Sequence, residues 1–186
     1  RKVNEDLGPV YRMSNTDKGH QLNLTASLQK APEDGFGGRL SYTYGRSRDI
    51  TSNPNSIASF AFGRNAVVGD PNDLSESFSQ YDTRHRIIGN VSYGLEYGNN
   101  FKTTISVVYN GQSGRRFSYV YSGDVNRDGL FQNNDLIYVP EDRSEINLTA
   151  ENRSSQEVWN DLNNFIEKSD YLSNRRGQYA ERNGAQ

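Results

Sequence analysis

The segment between Tyr121 and Tyr138 holds the residues whose types and spacing best suit a chemical role. Residues 124–135 read DVNRDGLFQNND. Side-chain oxygens stand at loop positions 1, 3, 5, 9 and 12, and a glycine stands at position 6, where a calcium loop turns sharply. Calcium takes about six to eight oxygen ligands, so this spacing predicts a Ca²⁺ site. The predicted ligands are Asp124, Asn126, Asp128, the backbone carbonyl of Leu130, Gln132 and Asp135.

The last loop position departs from the EF-hand pattern, in which a bidentate glutamate closes the site. Asp135 is one methylene shorter. The preceding segment, 118–122, is predicted to be extended, so a complete helix–loop–helix unit is not expected. The alternative is a turn rich in Asp and Asn that binds no metal.

Ser113 and His85 are the candidates for a hydrolase. The segment 111–114 reads GQSG, which lacks the second spacer of the Gly-x-Ser-x-Gly elbow and follows a predicted antiparallel strand. The chain has no cysteine and two histidines, which excludes thiolate sites and disfavours imidazole-rich metal sites. We therefore expect no enzymatic activity, and a hydrolase that uses Ser113 is the weakest alternative.

Composition limits the partners of the 186-residue chain. Its 21 Lys and Arg against 23 Asp and Glu give a net charge of −2, without the basic patch that nucleic acid requires. The mean hydropathy is −0.89. The sequence has no run of about 20 apolar residues, so a membrane-spanning helix is not expected. No apolar region follows residues 1–6, so a signal peptide is not expected at this position.

Four segments alternate apolar and polar residues with a period of two, which predicts strands with one apolar and one polar face. They are 21–31, 39–44, 85–97 and 101–111. The apolar face is predicted to carry Leu22, Leu24, Ala26, Leu28, Leu40, Tyr42, Tyr44, Ile87, Val91, Tyr93, Leu95, Tyr97, Phe101, Ile105, Val107 and Tyr109.

The connections between these strands are unequal. Residues 32–35 and 98–100 are tight turns, whereas 45–80 and 113–186 are long and polar. Short turns at one end and long loops at the other are typical of outer-membrane barrels. The predicted fold is therefore all-β: about four antiparallel strands of a transmembrane β-barrel, with long extracellular loops that have little core. Since the smallest barrels have about eight strands, these would be a fragment.

One helix is predicted within the second long loop. Ser154 and Glu157 have the spacing of a capping box, and an apolar stripe from Val158 to Ile166 follows. We expect a short amphipathic helix at about 155–168. Residues 1–112 would then form two barrel hairpins, and 113–186 a loop that carries the calcium segment and this helix.

Several motifs together resemble TonB-dependent outer-membrane receptors of the Oar-like type, which contain a carboxypeptidase-regulatory-like domain. The resemblance covers nearly the whole chain and corresponds to a late part of the barrel. The motifs are Gly19–Leu22, Tyr81–Arg86, Tyr109–Arg115, Gly123–Gly129, Asn134–Pro140 and Arg176–Gly184.

The resemblance implies a transport protein of the bacterial outer membrane, in contact with its lipid. In that family a plug domain and an inner-membrane TonB complex drive import through a barrel of about 22 strands. The plug and the TonB contact would lie outside these residues. The imported ligand would be a siderophore, a peptide or a glycan. The alternative is a secreted, calcium-dependent β-sandwich that binds carbohydrate or protein, in which a second sheet would cover the apolar strand faces.

Overall fold

The computed structural model of the chain describes residues 10–33, 35–52, 55–98, 100–130, 133–149 and 152–186. The fold is mostly β, with antiparallel sheets and few helices. None of the helices in these residues is long and apolar enough to cross a bilayer. The strands are β1 (His20–Glu33), β2 (Phe36–Asp49), β3 (Ser77–Phe78), β4 (His85–Tyr97), β5 (Phe101–Gln112), β6 (Tyr138–Val139) and β7 (Gln178–Tyr179). The helices are α1 (Ala58–Gly63), α2 (Ser155–Glu167) and α3 (Asp170–Ser173), with one 3₁₀ turn at Arg143–Glu145.

The four long strands form one antiparallel sheet in the order β1-β2-β4-β5, and the short β3 pairs with the end of β2. The second strand is longer than predicted: it spans Phe36–Asp49 instead of 39–44. Its last residues are polar and show no apolar alternation, but they continue the ladder with β1 as far as Arg48 opposite His20. The first long connection therefore begins at Ile50 and not at residue 45.

The register places the predicted apolar residues on one face of the sheet across all four strands. Leu24 lies opposite Tyr44, Tyr42 opposite Ile87, and Val91 opposite Val107. Because directly paired residues of antiparallel strands share a face, the predicted facing is confirmed. This face is open: Leu22, Leu24, Leu40, Ile105 and Val107 are 47, 59, 55, 58 and 66% exposed.

The opposite face of the sheet is mainly polar, although it also carries Ile88 and Val108, which are 40% and 73% exposed. Hydroxyl pairs join neighbouring strands, with 2.9 Å between the oxygens of Thr25 and Thr43 and 2.9 Å between those of Ser27 and Ser41. Ser92 and Ser106 are paired on β4 and β5. The two faces of the sheet therefore differ in their polarity.

The two long connections fold together into what we call the cap, residues 50–84 and 113–186. The prediction that these loops have little core is wrong, because every buried apolar side chain in the described residues lies in the cap. One cluster contains Ala66, Leu136 and Ala180, and a second contains Val139, Ile166 and Leu172. These residues are far apart in the sequence, so no local period identifies them as a core.

The predicted helix is present as α2, and Ser154 and Glu157 form its capping box. The expectation of a single helix is wrong, since α1 and α3 are also present in the cap. Helix α1 has no side-chain cap, and both helices are under two turns long. Such short helices depend on packing more than on local propensity, which explains why they leave no sequence signal.

The first and last residues of the second long connection lie close together. Phe117 and Ala185 form a β-bridge, and the Gln186 side chain donates to the carbonyl of Gly114 over 3.0 Å. Between these ends, β6 and β7 pair antiparallel, with Tyr138 opposite Tyr179. Residues 113–186 thus form a long loop whose two ends meet at one end of the sheet. The two short hairpin turns lie at the other end of the sheet.

Candidate functional site

The predicted calcium loop is organised by its own backbone amides. The Asp124 carboxylate accepts hydrogen bonds from the amides of Asp128 and Gly129, both over 3.0 Å. The Asn126 side-chain oxygen also accepts from the Asp128 amide, over 2.9 Å, and the Asp128 carboxylate accepts from the Leu130 amide over 2.8 Å. Three predicted ligand side chains therefore turn toward the same short stretch of backbone.

Backbone conformation agrees with the predicted sharp turn at the sixth loop position. Gly129 has φ of 88°, in the left-handed region that favours glycine. Arg127 also has a positive φ, 61°, which is uncommon for a residue with a side chain. The sequence pattern predicts the first of these conformations and gives no sign of the second.

Asp135 closes the loop from its far end. It is buried, and its Oδ2 accepts hydrogen bonds from the amides of Val125 and Asn126, over 2.8 and 3.3 Å. Its carbonyl accepts from Tyr121, and its backbone forms a parallel bridge with Val67 in the other part of the cap. The loop is therefore anchored to both long connections.

The donor set suits a hard cation, because it consists of carboxylate and amide oxygens. Gln132 lies outside the described residues. In the described part of the chain, no group of three or more Asp, Glu or His side chains lies close enough to hold a metal ion. The hydrogen bonds seen in the loop are those of successive Asx turns, which a metal-free turn also makes.

Asp82 forms a buried junction between the sheet and the cap. Its side chain is fully buried, and its carboxylate accepts hydrogen bonds from the Ser47 amide of β2 and from Nε of Arg116. A second guanidinium, that of Arg84, lies 3.5 Å away. Sequence reasoning missed this role, although Asp82 lies in one of the motifs that carry the family resemblance.

The phenyl ring of Phe78 stands at the centre of the same junction. Three guanidinium groups face it: Arg116 at 3.8 Å from the ring centroid, Arg48 at 4.9 Å and Arg84 at 5.6 Å. Cations over aromatic faces are attracted by the ring quadrupole, and this attraction is stronger where water is excluded. Two of these guanidinium groups also form ion pairs, Arg116 with Asp82 and Arg48 with Glu76.

Arg182 makes a second link between the cap and β2. Its side chain is almost fully buried and lies 2.8 Å from Oδ1 of Asp49. It also donates to the Ser52 hydroxyl over 3.2 Å. Arg182 therefore joins the second long connection to the end of β2 through Asp49 and to the first long connection through Ser52.

Ser113 and His85, the candidates for the hydrolase alternative, do not come together as a catalytic pair in the structure. The Ser113 hydroxyl accepts from the His85 backbone amide over 2.9 Å. The His85 imidazole instead bonds the Tyr42 hydroxyl, with 2.8 Å between Nδ1 and the oxygen. The two residues thus join the ends of neighbouring strands, and the imidazole takes no part in that contact.

Six titratable groups in the described part of the cap have shifted pKa values, among them Tyr171 and Glu157. Burial raises the pKa of Tyr171 above its ordinary value of 10.0, against the opposing effect of the Glu181 amide that donates to its oxygen. The pKa of Glu157 is lowered, first by the backbone amide of Ser154 that donates to its carboxylate. Folding therefore favours the neutral form of Tyr171 and the ionised form of Glu157.

Comparison of the chain with protein-family models, with curated proteins and with solved structures finds no match. The resemblance to TonB-dependent receptors therefore depends on the sequence motifs alone.

Proposed function

We propose that the chain is a barrel segment of a TonB-dependent outer-membrane receptor, with the cap on the extracellular side. The observation that carries this proposal is the apolar face of the sheet. It continues across all four long strands, it is open to its surroundings, and the opposite face is mainly polar, with Ile88 and Val108 as its apolar residues. A barrel wall needs this arrangement, because one face meets lipid and the other meets the lumen.

The distribution of aromatic residues on this face supports the proposal. Tyr97 and Phe101 stack at the hairpin end, with 6.1 Å between ring centroids. Tyr42 and Tyr44 lie against His85 at the cap end. Twelve residue steps of about 3.3 Å separate the two ends of β4, or about 30 Å along the membrane normal at a tilt of about 40°. Two aromatic girdles around a hydrocarbon layer would have this separation.

The secreted β-sandwich is the rival reading of the same face. A sandwich covers its inner face with a second sheet about 10 Å away. In the described residues the only other sheet is β6-β7, two residues per strand, and it lies in the cap. The half-exposed side chains of Leu24 and Val107 therefore favour lipid over a second sheet as the covering layer.

The receptor proposal assigns different roles to the two parts of the chain. The strands form the wall of the transporter, and the cap is where an incoming siderophore, peptide or glycan first meets the protein. Contact with the TonB complex would come from other parts of the full polypeptide. We further propose that Ca²⁺ binds at Asp124, Asn126, Asp128, Leu130, Gln132 and Asp135, and that it stabilises the cap by crosslinking carboxylates.

Cysteine accessibility tests the proposed facing directly, since the chain contains no cysteine. Val107→Cys on the apolar face and Ser106→Cys on the polar face are compared in the native polypeptide within its membrane. We expect a water-soluble maleimide to label Ser106→Cys and to leave Val107→Cys unlabelled until detergent is added. Equal labelling of both before detergent would contradict the lipid-facing assignment.

The mass and location of the native polypeptide provide a second test. We expect a chain several times larger than 21.0 kDa, recovered from the outer-membrane fraction. A water-soluble polypeptide of about that mass would refute the receptor proposal and favour the secreted binding module.

A further inference from the structure

Arg46 lies on the apolar face of the sheet, at the end next to the cap. The ladder between β1 and β2 is unbroken here and places Arg46 opposite Leu22. Directly paired residues share a face, so Arg46 projects on the same side as Leu22 and Tyr44. Its side chain is exposed and makes no ion pair or hydrogen bond within the described residues. A guanidinium without a counter-charge therefore borders the apolar surface.

Two further arginines lie on either side of Arg46. Arg48 follows it on the same face of β2, about 6.6 Å further along the strand at about 3.3 Å per residue. In the other direction, the Arg84 side chain lies over the Tyr44 ring and donates to the Tyr44 hydroxyl over 3.0 Å. The side chains of Arg48 and Arg84 are 22% and 19% exposed, so each can be reached in part from outside. We call Arg46, Arg48 and Arg84 the basic patch.

The ion pairs of the described residues do not balance the charge of the basic patch. Glu76 pairs with Arg48 over 3.1 Å. Asp82 lies 3.5 Å from Arg84, but it is shared with Arg116, to which it is hydrogen-bonded. The third arginine of the patch has no such partner. In the described part of the chain two carboxylates thus serve four arginines, and the excess positive charge lies at the exposed one.

The aromatic residues place the basic patch at the boundary of the hydrocarbon layer in the proposed barrel. Tyr42 and Tyr44 belong to the girdle at the cap end, and Arg46 follows them on the side of the cap. Lipid headgroups and their phosphates lie at this level, just outside the acyl chains. A guanidinium binds a phosphate through paired, charge-assisted hydrogen bonds. A lipid phosphate at Arg46 would place its acyl chains over Leu22 and Leu24, which are 47% and 59% exposed.

We propose that the basic patch binds the phosphate of a membrane lipid, with Arg46 as the residue in direct contact. The charge of the patch selects an anion, and the apolar residues beside it select an anion that carries acyl chains. A free phosphate would leave Leu22 and Leu24 uncovered. This inference rests on the proposed function, because it requires the apolar face to lie in the membrane.

Native mass spectrometry of the full native polypeptide in detergent micelles tests the proposal, because it counts the lipid molecules that each protein retains. The probe is dioleoyl phosphatidic acid. Dioleoylglycerol, which has the same acyl chains and no phosphate, is the comparison lipid. We expect Arg46→Gln to retain one phosphatidic acid fewer than the native protein at the same lipid concentration. Retention of dioleoylglycerol should be the same in both proteins.

Arg39→Gln is the matched control. Arg39 is an exposed arginine of the same strand, but it lies opposite Asn90 on the mainly polar face. This variant should retain as many phosphatidic acid molecules as the native protein does. Arg46→Lys keeps the positive charge and should also retain them.

The proposal is overturned if Arg46→Gln and Arg39→Gln retain the same number of phosphatidic acid molecules. It is also overturned if inorganic phosphate at the same concentration displaces the lipid, because the patch would then take free anions. Labelling of Val107→Cys decides the proposed function independently. A lipid-facing Val107 together with unchanged retention in Arg46→Gln would refute the lipid-phosphate site alone.

Discussion

Replacing Asp82 by Asn should loosen the junction that holds the cap to the sheet. The substitution preserves the size of the side chain and an oxygen that can accept from the Ser47 amide. It removes the negative charge opposite Arg116 and Arg84, whose side chains are 7% and 19% exposed. Two arginines would then face a neutral amide in a place that water reaches poorly.

The magnitude follows from the burial of the pair. Removing one partner of a buried ion pair costs about 3–5 kcal/mol, because the other charge stays buried without compensation. Arg116 retains its contact with the Phe78 ring and a 3.3 Å hydrogen bond to the Gly184 carbonyl. We therefore expect a loss near the lower limit, about 3 kcal/mol in the free energy of unfolding of the cap.

Trp159 provides the assay, since it is the single tryptophan and lies on α2 within the cap. Its fluorescence is followed during guanidinium chloride unfolding of the protein in detergent micelles. The matched control is Asp161→Asn, which breaks the exposed pair of Asp161 with Arg153. Exposed ion pairs contribute little, so this control should unfold as the native protein does.

The reasoning is refuted if Asp82→Asn and Asp161→Asn unfold at the same denaturant concentration with unchanged slopes. That result would mean that the apolar clusters of the cap hold it to the sheet and that the buried charges are incidental.

Three further predictions concern the lipid face, the calcium loop and the pH response. A lysine at Val107 should impair barrel assembly by about 2–4 kcal/mol near the bilayer midplane, whereas one at Ser106 should be tolerated; similar yields of folded protein from both variants would be inconsistent with the assigned faces. Calorimetric Ca²⁺ binding should disappear in Asp128→Ala and persist in Asp142→Ala, and a native protein without a Ca²⁺ signal ends the calcium proposal. The raised pKa of Tyr171 means that folding favours its neutral form, so its contribution is complete below pH 10.0 and is lost as the pH rises through the folded pKa; Tyr171→Phe should reduce this alkaline loss of cap stability in thermal melts, and an identical alkaline profile would count against it.

The strands and their faces were predictable because their signal is local. The alternation at Leu22, Leu24 and Leu28 can be recognised without knowing which strand pairs with this one. The capping box of Ser154 and Glu157 is likewise visible within four residues. The end of β2 was not predictable by the same means, since residues 45–49 are polar and are held in the sheet by pairing with β1 and β3. Backbone hydrogen bonds to a neighbouring strand can extend a strand without requiring alternating apolar side chains.

In the candidate site, too, the local features were predictable from the sequence and the long-range contacts were not. The oxygen spacing of residues 124–135 and the turn at Gly129 follow from the order of residues, because all these groups lie within a single loop. The bridge from Asp135 to Val67 joins residues 68 positions apart, and the cluster of Ala66, Leu136 and Ala180 takes residues from both connections. Such contacts depend on chain closure over long separations, which residue order alone does not reveal.

The order of residues was enough to predict the two-faced strands, the short turns at one end, helix α2 and the oxygen-rich loop. Folding of the whole chain was needed to show that the long connections form a cap with its own core and that Asp82 is buried between Ser47 and Arg116. The physical reason is the range of the interactions. Periodicity and capping act within a few residues, whereas burial and ion pairing in the cap join groups that meet only after both connections have folded onto the end of the sheet.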